Sequence, residues 1–240
     1  MASYSRRGVH GQVVHRLGLG IVDGTWAEGD TLDVKALGEE FDVSLTVLRE
    51  AMKVLAGKGL IDARQKRGTF VRARSAWNLL DPDLIRWRMA AGDSGRLLRD
   101  LAEVRAVIEP AAARRAALRR GEADLAALED ALAAMERAGD DSAAAAEADA
   151  AFHGALLAAT GNELLGHLEL LLRPGLRERD RLVHAHLTGA DPVPSHRAVV
   201  DAVRAGDAAG AQAAMLDLLA QASDDLDRVA PSLAGDDRPS

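Results

Sequence analysis

From residue 94 to residue 229 the sequence runs in long stretches of helical periodicity, each stopped by glycine or proline. The stretches fall near 94–119, 121–138, 141–160, 162–187, 194–205 and 208–229. Their breaks lie at Gly121, Gly139-Asp140, Gly161-Asn162, Gly189 to Pro194, and Gly206-Asp207. Apolar residues so spaced give each helix one buried stripe, and short breaks turn consecutive helices back on each other. An antiparallel bundle of about six helices, without strands, is the expectation. Aromatic residues make up only 3% of the chain, which argues against a β-sandwich or barrel built on aromatic and β-branched side chains.

The residues before this bundle follow another pattern. Helices are predicted near 8–23, 33–41 and 44–58, with a turn at 24–30 and a hairpin, IDARQKRGTFV, at 61–71. Asp33 and Ser44 are the candidate N-caps, and Gly57 and Gly59 end the third helix. Three helices and a hairpin is the order of a winged helix-turn-helix. The fold class is therefore mainly α, an N-terminal winged helix-turn-helix followed by a C-terminal antiparallel helical bundle. We place the first domain at 1–75, a Trp-rich linker carrying Trp77 and Trp87 at 76–92, the helical domain at 93–230 and a disordered tail at 231–240. The two tryptophans suggest a linker packed against both domains.

Charge follows the same division. The net charge is −7, yet residues 1–75 carry +3 and the remainder −10, so phosphate binding is confined to the N-terminal end. The absence of cysteine excludes a disulfide framework, a thiolate metal site and a cysteine nucleophile. No stretch reaches the length of a membrane span or a signal-peptide core, and a cytoplasmic protein is expected.

In 44–58 the apolar residues Val47, Leu48, Ala51, Met52 and Leu55 share one helix face. Leu45, Thr46, Arg49 and Lys53 are left facing outward. A helix that shows Thr, Arg and Lys after an N-capping Ser suits the major groove, its N-terminus meeting phosphate and its side chains meeting base edges. The wing sequence QKRG adds Lys66 and Arg67 beside Gly68. The candidate DNA-binding residues are Lys35, Ser44, Leu45, Thr46, Arg49, Lys53, Arg67 and Gly68.

The segment VSLTVLREAMKVLAGKGLIDARQKRGTFV resembles the DNA-binding domain of GntR-family transcriptional regulators. WNLLDPDLIRW, EVRAVIEPAAA, DAAFHGALLAATGN and SHRAVVDAVRAGD resemble the FCD effector domain of the FadR subfamily, most closely its sugar-acid branch. The resemblance implies a homodimeric repressor on palindromic double-stranded operator DNA. A small carboxylic acid such as galactonate or gluconate would control it. Arg49, Thr46 and Gly68 would contact the operator. Where the family usually has Arg this chain has Leu45, and Lys35 stands where Glu or Arg is frequent. A guanine-reading side chain is thus replaced by one that can only touch a thymine methyl.

Polar residues also fall on stripes assigned to the core. Arg105 shares one with Leu98, Leu101, Ile108 and Ala112; Asp149 and His153 share another with Leu156 and Thr160; His196 lies with Val199, Val200 and Val203. A buried ion needs a partner, a metal or a polar ligand. Asp149 and His153, at i and i+4, suit a single cation or a structural pair. The resemblance adds His196 as a third ligand of zinc or another divalent metal, while the fourth family ligand falls on Leu218, so weak holding is expected. Arg105 and Arg177 would bind an effector's carboxylate, with its hydroxyls on Asp149, His153 and His196. No catalytic residue is assigned. Two alternatives stand beside this reading: a metal-dependent hydrolase, disfavoured because no second carboxylate is evident beside the His/Asp set, and a regulator of fatty acyl ligands.

Overall fold

The computed structural model describes residues 8–65, 67–186 and 191–235. The chain divides into two compact units, Met1–Ser94 and Gly95–Ser240.

In the first unit, helix α1 (Val9–Val22) is followed by strand β1 (Thr31–Leu32), α2 (Val34–Glu40) and α3 (Leu45–Gly57). Strands β2 (Ile61–Arg64) and β3 (Gly68–Val71) then lead to a 3-10 turn at Arg74–Ala76 and α4 (Pro82–Ala90). Asp33 Oδ1 caps α2 by accepting from the N–H groups of Lys35 and Ala36, and Ser44 Oγ caps α3 by accepting from Val47. The wing is a three-stranded antiparallel sheet in the order β1-β3-β2. Only the β2–β3 hairpin was expected; β1 is two residues long and owes its extended form to pairing of Thr31 with Phe70. Lys66 lies outside the described residues.

Segment 76–92, expected as a linker between two domains, is largely helical and folds into this first unit. Trp87 is buried with Leu17, Leu55 and Leu84. Its ring presses on Gly18, where a Cβ would come within 2.4 Å of it, and its Nε1–H donates to His15 Nδ1 at 2.8 Å. Trp77 Nε1 donates to Arg72 O within the same unit. Both tryptophans therefore anchor the segment to the winged-helix module.

The second unit contains α5 (Ser94–Arg119), which starts at the unit boundary, then α6 (Glu122–Ala138), α7 (Ser142–Ala158), α8 (Glu163–His167), α9 (Glu169–His186), α10 (Val193–Ala205) and α11 (Ala208–Gly235). No strand occurs among its described residues. Its core gathers Leu128, Leu132, Phe152, Leu156, Val200 and Met215. The stretch expected as one helix over 162–187 is two, broken at Leu168 between the poor helix former Gly166 and Pro174, which cannot donate a backbone hydrogen bond. The tail expected to be disordered from 231 continues α11 through Gly235; residues 236–240 lie outside the described residues. Among the described residues no helix is long and apolar enough to cross a membrane.

Candidate functional sites

Helix α3 buries Leu48, Ala51, Met52 and Leu55 and exposes Leu45, Thr46, Arg49 and Lys53. Leu45 is 45% exposed at the first turn, which is where a side chain meets base edges when a helix enters the major groove end-on. Lys53 pairs with Glu50 at 2.7 Å on the surface. Ser44 and Lys35 are also exposed. In the wing, Arg67 lies over the Phe70 ring at 3.8 Å and donates to Gly29 O, so its guanidinium is held at the base of the hairpin. Gly68 has φ +78°, a conformation that glycine adopts without strain.

In the second unit the three polar stripes do converge. Asp149 Oδ1 lies 3.1 Å from His196 Nε2 and 3.6 Å from His153 Nε2. His153 Nδ1 lies 2.8 Å from Glu109 Oε2, and His196 Nδ1 lies 2.7 Å from Pro192 O. Each ring is thereby fixed with Nε2 turned inward, the orientation that a metal-binding histidine takes from its outer partner. Arg105 Nε donates to Glu109 Oε1 at 2.8 Å, and its Nη2 approaches His153 Nε2 at the same distance. That nitrogen is the atom for which a proton, Arg105 and a metal compete.

Glu109 corrects the sequence reading twice. The stripe through Arg105 continues through Glu109, which is fully buried, and not through half-buried Ile108. The anion that Arg105 requires is supplied by its own helix. Burial opposes the charge on Glu109, but Arg105 and His153 outweigh it and bring its pKa down to about 2. Burial likewise opposes charge at Asp149, yet the contacts from His153 and His196 hold it well below the usual carboxylate range. At His153 burial favours the neutral ring, but Glu109 and Asp149 prevail and raise its pKa.

Arg177 does not join this cluster. It is half-exposed and pairs with Glu147, while Arg179, two residues on, is the guanidinium turned inward. Arg179 lines a cavity of about 450 Å³ between α5, α9 and α11, which Arg105 lines as well. It also lines a smaller one of about 60 Å³ with His196 and Leu218. Its Nε is buried without a hydrogen-bond partner. Asp149 and His153 line neither cavity. Sequence reasoning also missed Asp180, 2% exposed and paired with Arg179 at 2.8 Å. Burial and the charge of Asp149 push its pKa up to about 7, against the pull of Arg179 and Arg105. A signal for it existed: Leu172, Leu176, Asp180 and Val183 form one buried stripe.

The ligand atoms of Asp149, His153 and His196 all lie within 4.8 Å of one another, and Asp149 Oδ2 is buried with no hydrogen-bond partner. These residues fit a divalent cation. Leu218 is buried and apolar as expected, offering no ligand. The second carboxylates said to be missing for a hydrolase are present as Glu109 and Asp180. Glu109 is bound by Arg105 and His153, and Asp180 by Arg179, so proximity alone does not make either a general base.

Comparison with known proteins agrees with this architecture. Residues 10–71 match the model of bacterial regulatory proteins of the gntR family, and residues 100–221 match the FCD domain. The chain is 34% identical to the galactonate operon transcriptional repressor of Escherichia coli (strain K12), over 88% of this chain and 94% of that protein. It is 36% identical to the HTH-type transcriptional regulator LutR of Bacillus subtilis (strain 168), over 86% and 95%. Among solved structures, Lar, which controls expression of the Listeria monocytogenes agr system, shares the fold with a TM-score of 0.63 at 17% identity, covering 95% of this chain and 99% of that one. The chain belongs to the GntR family, and is a transcriptional regulator with a GntR helix-turn-helix followed by an FCD domain.

Proposed function

We propose that the protein is a homodimeric repressor that binds a palindromic operator through α3, Lys35 and the wing, and leaves it when a small carboxylate enters the cavity between α5, α9 and α11. The observation that carries this reading is the buried Nε of Arg179, a donor without an acceptor beside a cavity of ligand size. A carboxylate is the acceptor that satisfies it, and Arg105 stands on the same wall. Differential affinity for the effector between the DNA-competent and released arrangements would then control operator binding.

Galactonate and gluconate are the effectors we favour, because a relative of similar length represses a galactonate operon. Their hydroxyls would meet Glu103, Ser223 and Asp227 at the rim of the cavity. That replaces the earlier assignment of the hydroxyls to Asp149 and His153, which do not line it; His196 lines only the smaller cavity. One observation favours a second reading. Leu98, Leu101, Leu172, Leu176 and Leu219 also line the cavity, and they suit an acyl carboxylate. Asp149, His153 and His196 are assigned to a divalent cation, zinc among the candidates, which would neutralise the carboxylate and hold an oxygen ligand.

Thermal unfolding with galactonate, gluconate and octanoate separates these readings. An effector at a hundredfold excess over its dissociation constant should stabilise the protein by about 2.7 kcal/mol. The gain should vanish in Arg179→Ala and persist in Arg177→Ala. Stabilisation by octanoate alone would select the acyl reading, and a response unchanged in Arg179→Ala would remove the cavity assignment.

A further inference from the structure

Among the described residues of the second unit, the exposed large apolar side chains are Val107, Leu118, Leu164, Leu170 and Leu216. Scattered singly, such residues mean little. Leu164, Leu170 and Leu216 lie on three different helices. Val107 and Leu118, 77% and 62% exposed, share α5 and stand about three turns apart on it. Half-buried Val104 and exposed Ala111 lie on the same face. The four positions follow the a and d spacing of a coiled-coil seam. The opposite side of α5 puts Leu101, Ala112 and Ala116 into its own unit. Helix α5 therefore has two apolar faces, and one of them meets solvent.

The charges beside the exposed face are sorted along the helix. Asp100 and Glu103 accompany its N-terminal half, Arg114 and Arg115 its C-terminal half, and all four are exposed. The helix dipole favours that order within the first and last turns, but these residues lie more than a turn inside α5. Arg99, the cation that interrupts the order, lines the cavity. A second α5 running in the opposite direction fits both the apolar and the charged pattern. At 100° per residue Glu103 and Arg114 fall on the same side of the seam. A two-fold axis between positions 107 and 111 then brings each Glu103 to the partner's Arg114. Parallel pairing would instead set Glu103 against Glu103 and Arg114 against Arg114. The small side chain of Ala111 leaves room for the two helices to approach at the axis.

We propose that the exposed face of α5 docks on the same face of a second copy of this chain. The helices run antiparallel, with Val107 against the partner's Ala111 and Glu103 against the partner's Arg114. The contact is self-complementary, as a two-fold interface must be. This inference rests on the homodimer of the proposed function and gives that dimer a surface.

The test follows full-length protein without effector by sedimentation equilibrium, with circular dichroism to confirm the fold of each variant. Wild-type protein is expected to be a dimer. Val107→Asp puts two carboxylates at the centre of the seam and should raise the dissociation constant by about a hundredfold; Leu118→Asp, further from the axis, serves where that protein does not fold. Arg114→Glu should raise it by about tenfold, and Glu103→Arg combined with Arg114→Glu should restore it to within about threefold of wild type. A wild-type dimer that Val107→Asp and Leu118→Asp leave intact would overturn the proposal and leave the homodimer reading on another surface. A double variant no tighter than Arg114→Glu would overturn the antiparallel register. A monomeric wild type would overturn both the proposal and the homodimer reading.

Discussion

The two units bury ions in opposite ways. In the first, Lys58 ends helix α3 and lies between Asp81 and Asp83 of the following segment, at 2.8 and 2.7 Å. Asp81 also caps α4 through Asp83 N–H, and Arg86 takes the other oxygen of Asp83. In the second unit, Asp149 Oδ2 and Arg179 Nε are buried without partners. Folded proteins satisfy buried polar groups, so each exception needs its own explanation. A closed set, as around Lys58, holds two elements together. An open set, as around Asp149 and Arg179, leaves a buried acceptor and a buried donor able to bond a further group. On the function proposed above, the first unit works on its surface and the second in its interior.

The largest expected effect breaks the closed set. Lys58→Met leaves Asp81 and Asp83 buried against an apolar side chain, and should cost about 3–5 kcal/mol in urea denaturation. A loss below about 1 kcal/mol would show that the contact does not join α3 to α4. Acid tests the same set more gently. Burial tends to raise the pKa of Asp83, but Lys58 and Arg86 outweigh it and set it below the usual range of an aspartate. A depressed carboxylate contributes stability that is present above its unfolded pKa and lost as pH falls through the folded one. Unfolding followed from pH 5 downward should therefore show a loss beginning near pH 4 that Asp83→Asn lacks.

A surface site should behave differently. Arg49→Ala is expected to cost about 1–3 kcal/mol in specific operator binding, the value of one good base contact, while the melting temperature stays unchanged. Fluorescence anisotropy with operator DNA and a thermal scan measure the two separately. Loss of stability in parallel with binding would mean that Arg49 supports the fold and that the division between surface and interior function fails.

How far the sequence could be read follows the same division. The outward set on α3 was legible because its apolar partners repeat cleanly and every polar residue there meets water. In the interior, polar residues blur the repeat on which the reading depends. A 3.6-residue period allows a step of three or four, and choosing the apolar Ile108 over Glu109 discarded the carboxylate that holds Arg105. In α9 the preference for a cationic partner selected Arg177, although the Leu172–Leu176–Val183 stripe passes through Asp180 beside Arg179. Helix α4 escaped because its sequence, PDLIRWRMA, lacks a clean amphipathic repeat. Its place is fixed by tertiary contacts, Trp87 on Gly18 and Asp81 on Lys58.

The smallest expected effect concerns the turn that joins α2 to α3. Asp42 has φ +51°, the left-handed conformation, and is the non-glycine residue with positive φ among the described residues. An L side chain there crowds the following carbonyl, at a cost that aspartate bears better than most. Asp42 is exposed, and its N–H makes a long bond of 3.3 Å to Glu39 O, so removing its side chain sacrifices little. Glycine relieves the crowding but gives the unfolded chain more freedom. The relief should prevail, leaving Asp42→Gly more stable by up to about 0.5–1 kcal/mol, while Asp42→Ala should be less stable than wild type. Operator affinity of the glycine variant sharpens the comparison between the units. If stability rises and binding holds, the turn only connects the two helices. If stability rises and binding falls, the strained aspartate fixes the entry angle of α3, and the first unit keeps part of its functional specification in its backbone as well as on its surface.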